Sequence, residues 1–212
     1  GTTINDMGSG SDNLTLVNTP TFSRSVPTED ATFNYRSVDF DGVNEYADAG
    51  TGLGNLLGDN YAGSLSVSLW FKADVTSGHD ALFYIGSYGS AHGEINIIIA
   101  SNELYWRLNQ SGWYRKVAFS DTAGWHHLAG VYATGSETDS KMYLDGVAVG
   151  SNHGTFPSAT DMDFAGEKTI IGSYYNPSAY PFDGNIDEVA VFTSELSASE
   201  VASIYNDYIP DG

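Results

Sequence analysis

The stretch Ser64-Leu65-Ser66-Val67-Ser68-Leu69-Trp70-Phe71-Lys72 alternates between apolar and mainly polar side chains at every step. Leucine, valine or phenylalanine occupies each second position, and serine, tryptophan or lysine fills the positions between them. A period of two is the pattern of a β-strand with one buried face, and no helix face has it. The stretch therefore predicts a strand at 64–72 and favours an all-β fold.

Shorter runs of the same kind lie on both sides of this strand, and turn residues separate them. Strands are predicted at 13–17, 37–40, 81–86, 94–100, 103–108, 113–119, 125–132, 141–144, 147–149, 169–171 and 186–192. Asp145-Gly146 predicts a type I′ hairpin turn, because both residues tolerate positive φ angles. Asn109-Gln110-Ser111-Gly112 predicts a second hairpin, and residues 50–64, with five glycines, predict a loop.

One short helix is predicted near the C-terminus. Ser197-Ala198-Ser199-Glu200 forms a capping box, in which the serine hydroxyl bonds the amide of Glu200 and the glutamate reaches back. The apolar face that follows consists of Val201, Ile204, Tyr205 and Tyr208. No linker, charge block or repeat interrupts the chain, so residues 1–212 are predicted to form a single domain.

The composition excludes several classes of function. The 212 residues include 8 Lys and Arg but 27 Asp and Glu, so the formal net charge is -19. Such a surface repels nucleic-acid phosphates and anionic lipid headgroups, so neither is predicted as a partner. The chain has no cysteine, which excludes disulfides, thiol nucleophiles and zinc–thiolate sites. No stretch approaches the roughly 18 apolar residues of a membrane span, so no membrane insertion is predicted.

Several motifs recur in an order that is typical of one family. They run from Phe40-Asp41-Gly42 through the 64–72 strand, Trp125-His126-His127-Leu128 and Met142-Tyr143-Leu144-Asp145-Gly146 to Gly184-Asn185-Ile186-Asp187-Glu188-Val189. Together they resemble the laminin G-like, concanavalin A-like lectin and glucanase domains of secreted and phage structural proteins. The resemblance implies an all-β jelly-roll sandwich of two antiparallel sheets with the short C-terminal helix. Such domains mostly bind glycans, proteins or cell surfaces, often with a structural calcium ion.

A catalytic site is considered at Gly93-Glu94-Ile95-Asn96, which resembles the catalytic strand of retaining β-glucanases. That reaction needs two carboxylates about 5 Å apart, one as nucleophile and one as acid. Asn96 stands at the middle position, and Ile98 and Ile99 occupy the places of a second glutamate. The arginines are not clustered as polysaccharide lyases require, and no serine has a nucleophile-elbow pattern. A non-catalytic protein is therefore predicted, with a glycan hydrolase or lyase as the lesser alternative.

A structural calcium site is predicted where the two ends of the resembling fold meet. Calcium takes six to eight oxygen ligands. Asp41 and Asn44 lie on one turn, and Asp187 lies in the C-terminal strand, so these three residues are the predicted ligands. The alternative is that the two aspartates cap turns through backbone hydrogen bonds. His126 and His127 are adjacent and point to opposite faces of a strand, so they are not predicted to bind a metal together.

Sugar binding commonly combines aromatic faces with a few polar groups. The candidate ligand-binding residues are Tyr88, Trp106, Trp113, Tyr114, Tyr174 and Tyr175. Trp113 and Tyr114 follow the turn at Gly112 and are predicted to be exposed on one side, while Ser173-Tyr174-Tyr175-Asn176-Pro177 is a loop rich in aromatic and amide groups. The alternative for each residue is packing in the core or at a sheet edge.

The sequence therefore predicts a non-catalytic recognition or adhesion module, located outside the cell or on a virion surface. Its predicted partner is a glycan or cell-surface polysaccharide. A second hypothesis is a phage virion domain, in a capsid decoration or tail fibre, that contacts other virion proteins or the host surface. The segment 14–22 ahead of Phe40-Asp41-Gly42 is similar to marine phage versions of the fold.

Overall fold

The structure, a computed structural model, describes residues 3–5, 13–27, 36–86, 93–108, 112–158, 162–175 and 179–207. The strands in these ranges are β1 (Thr3–Ile4), β2 (Leu14–Val17), β3 (Thr21–Ser23), β4 (Ser37–Asp41), β5 (Tyr46–Asp48), β6 (Leu65–Ala73), β7 (His79–Ile85), β8 (Ile95–Ala100), β9 (Glu103–Leu108), β10 (Trp113–Ala118), β11 (His126–Tyr132), β12 (Lys141–Leu144), β13 (Val147–Val149), β14 (Ser151–His153), β15 (Thr169–Ile171) and β16 (Asp183–Phe192). The helices in the same ranges are α1 (Gly52–Leu57) and α2 (Ala198–Asp207).

The strands form two antiparallel sheets that pack face to face. The larger sheet has nine strands in the order β1-β2-β5-β15-β7-β8-β9-β10-β14. The smaller sheet has seven strands in the order β13-β12-β11-β6-β16-β4-β3. The predicted all-β, two-sheet antiparallel jelly roll with a short C-terminal helix is confirmed.

The hydrophobic core lies between the inner faces of the two sheets. The apolar face predicted at 64–72 is fully buried there, from Leu65 to Phe71. The packing is tight enough to require a glycine at position 130, because a Cβ atom there would lie 2.3 Å from the Trp106 ring. Interiors of this density contain almost no space for an added methyl group.

The two predicted hairpins are present. Asp145 and Gly146 have φ angles of 50° and 75°, as the type I′ turn requires, and they join β12 to β13. Strand β9 pairs with β10, beginning with Leu108 opposite Trp113. Residues 109–111 of that second turn lie outside the described part of the chain.

The capping box begins α2 as predicted. The Ser197 amide donates to Glu200 Oε2 at 2.8 Å, and the Glu200 amide donates to Ser197 Oγ at 3.3 Å. The loop predicted at 50–64 is wrong in part, because it contains α1. Leu53 and Leu57 of α1 are four residues apart and both buried, and such tertiary burial stabilises a short helix that glycine content alone would disfavour.

Candidate functional site

The outer face of the seven-stranded sheet is covered by the C-terminal helix. Val201 of α2 is fully buried against this face, and Tyr205 stacks on Trp70 of β6 with ring centroids 5.6 Å apart. Beneath the helix, a 2.8 Å hydrogen bond joins Ser68 Oγ to His127 Nε2. Burial lowers the pKa of His127 to about 4, so the ring is neutral near pH 7. This face is therefore part of the protein interior.

The outer face of the nine-stranded sheet is covered in another way. Its buried cluster consists of Ala81, Tyr84, Ile98, Ala100, Ile170 and Tyr174, and no described residue of either helix belongs to it. Tyr174 comes from the segment 172–182, here called the tyrosine loop, of which residues 172–175 and 179–182 are described. The loop therefore takes the place on this sheet that α2 takes on the other.

Backbone hydrogen bonds hold the tyrosine loop against β7. The Ala81 amide donates to Tyr180 O at 2.8 Å, and the Gly172 amide donates to Leu82 O at 3.1 Å. Within the loop, the Tyr174 amide donates to Ala179 O at 3.0 Å. These bonds fix the position of the tyrosine rings relative to the sheet.

The loop presents an array of aromatic rings. Tyr174 is buried, with its ring centroid 4.4 Å from that of Tyr84, and it also contacts Tyr175 and Tyr180, each at 5.4 Å. Tyr180 in turn lies 5.1 Å from the His79 ring. Tyr175 and Tyr180 are 39% and 43% exposed, so two of these rings are accessible to a ligand.

A buried polar cluster lies under the loop. Glu94 Oε1 accepts hydrogen bonds from the Tyr174 hydroxyl and from Asn96 Nδ2. Glu94 Oε2, Asn96 Oδ1 and the Tyr84 hydroxyl are buried, and the described residues give none of them a hydrogen-bond partner. Strand register explains the proximity of two of them, because Asn96 lies directly opposite Tyr84. Unpaired buried polar atoms are uncommon in native proteins and call for an explanation.

Burial dominates the titration of this cluster. It raises the pKa of Glu94, while the Tyr174 hydroxyl, the Arg107 guanidinium and the Asn96 amide act against that shift. Burial also raises the pKa values of Tyr84 and Tyr174 above that of an ordinary tyrosine. Both phenols are thus protonated at neutral pH and can donate hydrogen bonds.

A groove of about 280 Å³ opens beside the loop. It is lined by Tyr84, Gly86, Gly166, Glu167, Lys168, Ile170 and Tyr175. Ile170 lies directly opposite Tyr84 in the sheet, and Lys168 Nζ forms a 2.6 Å ion pair with Asp48. The groove thus combines an apolar floor, an exposed ring and charged residues of both signs.

The structure separates the predicted ligand-binding residues into three groups. Tyr174 and Tyr175 lie together at the groove. Trp106 and Trp113 are fully buried in the core, so the predicted exposure of Trp113 is wrong: its register partner Leu108 also points inward. Tyr114 lies three strands from β7 and stacks on His153, with centroids 5.0 Å apart. Tyr88 lies outside the described residues.

The three predicted calcium ligands are not brought together. Strands β4 and β16 pair as expected, but the register places Asp183, not Asp187, opposite Asp41. Asp187 lies four positions further along β16, which corresponds to about 13 Å of extended strand. Asp41 Oδ1 accepts from the Val43 amide at 2.9 Å, and the Asn44 carbonyl accepts from Asn18. Within the described ranges, no group of three histidine, aspartate or glutamate side chains is positioned to hold a metal ion.

The adjacent histidines point to opposite sides of β11, as predicted. His127 lies under α2, whereas His126 contacts the Phe119 ring and pairs with Asp145 at 2.8 Å. Hydrogen bonding to Asp145 is the largest of the effects that raise the pKa of His126. The two rings have separate partners and do not form a shared site.

Sequence reasoning missed Tyr84, Ile170 and Lys168, which line the groove. Glu94 and Asn96 entered the sequence analysis only as part of a candidate catalytic strand, which lacks the second carboxylate that the reaction needs. The alternation of Glu94, Asn96 and Ile98 with core isoleucines was the available signal for an outer face. Nothing in the sequence indicated that Tyr84 faces Asn96, because strand register is not visible in a local pattern.

A family model, Laminin_G_3, described as the concanavalin A-like lectin/glucanases superfamily, matches residues 41–202. No curated protein matches the sequence. Neither described helix is long and apolar enough to cross a membrane.

Solved structures show the same fold at low sequence identity. Domain 4 of AbnA, a GH43 extracellular arabinanase from Geobacillus stearothermophilus solved with arabinotriose, has 20% identity and a TM-score of 0.64, covering 93% of this chain and 90% of its own. The CBM40 of the Ruminococcus gnavus IT-sialidase, bound to α2,3-sialyllactose, has 13% identity and a TM-score of 0.62, covering 80% and 96%.

The binding domain of botulinum neurotoxin DC, in complex with rat synaptotagmin II, has 14% identity and a TM-score of 0.65. It matches 98% of this chain, which spans about half (51%) of the toxin chain. These likenesses show the shared sandwich, and the family match extends over most of the sequence. The chain belongs to the concanavalin A-like lectin/glucanase superfamily.

Proposed function

We propose that the protein is a non-catalytic carbohydrate-binding module whose ligand occupies the groove beside the tyrosine loop. The observation that carries this proposal is that the groove places the exposed Tyr175 with Tyr84, whose buried hydroxyl has no partner among the described residues. A sugar offers a matching pair of surfaces, because its C–H face packs on an aromatic ring while its hydroxyl groups donate hydrogen bonds to oxygen acceptors.

The size of the groove fits a small portion of a glycan. Its volume of about 280 Å³ lies just below the range for ligand sites, roughly 300–1,000 Å³, which suits one or two sugar units inside it. Its backbone framework is set by the sheet and by the hydrogen bonds of the tyrosine loop. A largely preformed site of this kind loses little conformational entropy when it binds.

Charge favours a neutral sugar over an acidic one. Lys168 is paired with Asp48, and Glu167 adds a further carboxylate to the groove. The positive charge of Arg107 interacts with the Glu94 carboxylate and acts to lower its pKa, so Glu94 offsets the charge of Arg107. With a net charge of -19 on the whole chain, a polyanionic glycan would be repelled at long range.

Binding without catalysis is supported by the residues around Glu94. Retaining hydrolysis needs a second carboxylate about 5 Å away. On the same face of β8, the next two positions carry Asn96 and Ile98, and Ile98 packs in the same cluster as Tyr84. We therefore expect no release of reducing ends from glucan, xylan or arabinan; turnover that Glu94→Gln abolishes would contradict this part of the proposal.

Two of the similar structures contain a bound glycan and support a glycan ligand. The third contains a bound protein, so a protein ligand is the alternative to be tested. The arabinanase domain was solved with arabinotriose and the sialidase module with sialyllactose, whereas the toxin domain was solved with synaptotagmin II. The arabinanase is extracellular, and we propose the same location for this chain. The virion role remains a prediction of the sequence.

The proposal is tested by calorimetric titration of neutral oligosaccharides from arabinan, xylan, cellulose and mannan, with sialyllactose as the acidic probe. We expect at least one neutral series to bind more tightly than sialyllactose. Tyr175→Ala should weaken that binding about tenfold, the usual effect of removing a contact aromatic. Phe22→Ala is the matched control, because Phe22 is also 39% exposed but lies on β3 of the other sheet.

Failure of every neutral series to bind, or equal losses in Tyr175→Ala and Phe22→Ala, would overturn the proposal. A calcium requirement is a separate proposal, and thermal melts with calcium and with a chelator test it. Loss of the calcium-induced shift in Asp187→Ala would support the ligand set predicted from sequence. Loss in Asp183→Ala instead would place the ion at the residue that faces Asp41, and no shift in the unaltered protein would refute calcium binding.

A further inference from the structure

We infer that the ligand is a linear glycan held by three or more consecutive sugar units along the tyrosine loop, with Tyr180 as a second stacking position beyond the groove. This inference rests on the proposed function and specifies its ligand class. It distinguishes a module that binds the interior of a polysaccharide chain from one that binds a terminal sugar.

The arrangement of the rings is the first argument. Tyr174 is 4% exposed, and its ring contacts two exposed tyrosines, Tyr175 and Tyr180. Each of these ring centroids lies 5.4 Å from that of Tyr174. Both contacts are edge-on, with interplanar angles of 75° and 62°. Both exposed rings contact the same buried ring, so their centroids lie no more than twice 5.4 Å apart. A short chain of sugar units is long enough to contact both rings.

The backbone of Tyr180 is the second argument. Its φ angle is 56°, in the left-handed region that non-glycine residues seldom adopt. The conformation is held by the hydrogen bond from the Ala81 amide to Tyr180 O, and the ring rests against His79. Such strain is often retained at ligand-contacting positions. Asparagine or glycine would adopt this conformation more easily, so a tyrosine here indicates a use for its ring.

The position of Tyr180 outside the groove is the third argument. The residues that line the groove include Tyr175 but not Tyr180, so a ligand confined to the groove would not use the exposed ring of Tyr180. Tyrosine offers a large contact area with few rotatable bonds, and therefore binds at low entropic cost. A chain that starts in the groove and passes over Tyr174 would use both exposed rings.

The experiment is a chain-length series. Oligomers of one to six units from whichever neutral series binds are titrated into the unaltered protein, Tyr175→Ala, Tyr180→Asn and Phe22→Ala. Asparagine is chosen at position 180 because it tolerates positive φ, so the variant should retain its fold. A thermal melt of each variant checks this directly, and Tyr180→Phe, which keeps the ring, is the conservative control.

We expect affinity to rise by about tenfold or more between one and three units and then to level off, which corresponds to one added aromatic contact. Tyr180→Asn should remove that gain and leave the shortest ligand unchanged, whereas Tyr175→Ala should weaken ligands of every length. Equal affinity for one and three units, or unchanged trisaccharide binding in Tyr180→Asn, would overturn the inference and leave the proposed function standing. No binding at any length would overturn both.

Discussion

The two sheets have similar alternating strands but different outer faces. On the seven-stranded sheet, α2 closes the outer face, and the hydroxyl of Ser66 both donates to Ser194 O and accepts from the Leu196 amide. On the nine-stranded sheet, the tyrosine loop covers the face, and Glu94 and Asn96 keep buried oxygens that the described residues do not pair. His127 Nδ1 under α2 also has no partner among the described residues, so the difference between the faces is that the unpaired oxygens of the nine-stranded sheet lie beside exposed rings.

This difference shows how one fold separates stability from binding. Polar groups on a covered face contribute to stability when they find partners in the covering segment. Polar groups left unpaired on the other face reduce stability, and they persist where a ligand makes use of them. Substitutions on the two faces should therefore have effects of opposite sign.

The largest effect is expected from a charge under α2. Val201→Asp places an unpaired carboxylate in a fully buried position, which should reduce the free energy of unfolding by more than about 4 kcal/mol. Ser203→Asp introduces the same side chain on the exposed side of the same helix and should change it by less than about 0.5 kcal/mol. Urea denaturation measures both. Similar losses in the two variants would mean that α2 does not seal this face.

The second prediction concerns the stability of the protein at acidic pH. The folded-state pKa of His127 is lowered to about 4 from 6.5, so the unfolded chain takes up a proton first as the pH falls. The stability that neutral His127 provides is complete above pH 6.5 and is lost as the pH falls towards 4, by on the order of 2–3 kcal/mol at pH 4.5. His127→Gln should remove that loss.

The adjacent histidine supplies the control for this experiment. The pKa of His126 is raised, chiefly by its hydrogen bond to Asp145, so its contribution is present below pH 6.5 and is lost as the pH rises through the folded-state value. His126→Gln should therefore destabilise the protein more at pH 4.5 than at pH 8. The free energies of unfolding of both variants at pH 4.5 and pH 8 test this difference. The same pH trend in both variants would contradict the opposite pKa shifts of the two histidines.

The third prediction compares one polar group on each face. Ser68→Ala removes the partner of His127 and should lower the free energy of unfolding by about 1–2 kcal/mol. Glu94→Gln removes a buried charge whose pKa burial raises, and should increase stability at pH 8 by about 1 kcal/mol. The increase should shrink as the pH falls and Glu94 becomes protonated. A loss of stability in Glu94→Gln at pH 8 would show that the two faces do not differ in this way.

Much of the fold could be predicted from local patterns, because strand alternation, an Asp-Gly turn and a capping box are all local. The alternation at 64–72 predicted β6, but not that Ser66 and Ser68 on its polar side would be buried, since this depends on where α2 packs. The exposure expected of Trp113 was wrong, although its neighbour β9 alternates cleanly, with Leu104, Trp106 and Leu108 inward.

The candidate site was harder to predict because it depends on register between strands that are distant in sequence. Asp41 and Asp187 were expected to meet because their strands pair, but the observed register joins Asp41 to Asp183, and a bulge follows between Asp187 and Ala190. A shift of this size moves a side chain by several strand positions. Likewise, Tyr174 was selected from loop composition, but its contact with Glu94 spans 80 residues.

The most direct test of the proposed binding face is a map of amide chemical-shift changes, because it locates the ligand without altering the protein. The tightest-binding neutral oligosaccharide would be titrated into isotopically labelled protein. We expect the shifted amides to cluster in β7, β8, β15 and the tyrosine loop, and those of β6, β11 and α2 to remain unchanged. Shifts centred on α2 and the seven-stranded sheet would contradict the assignment of the binding face.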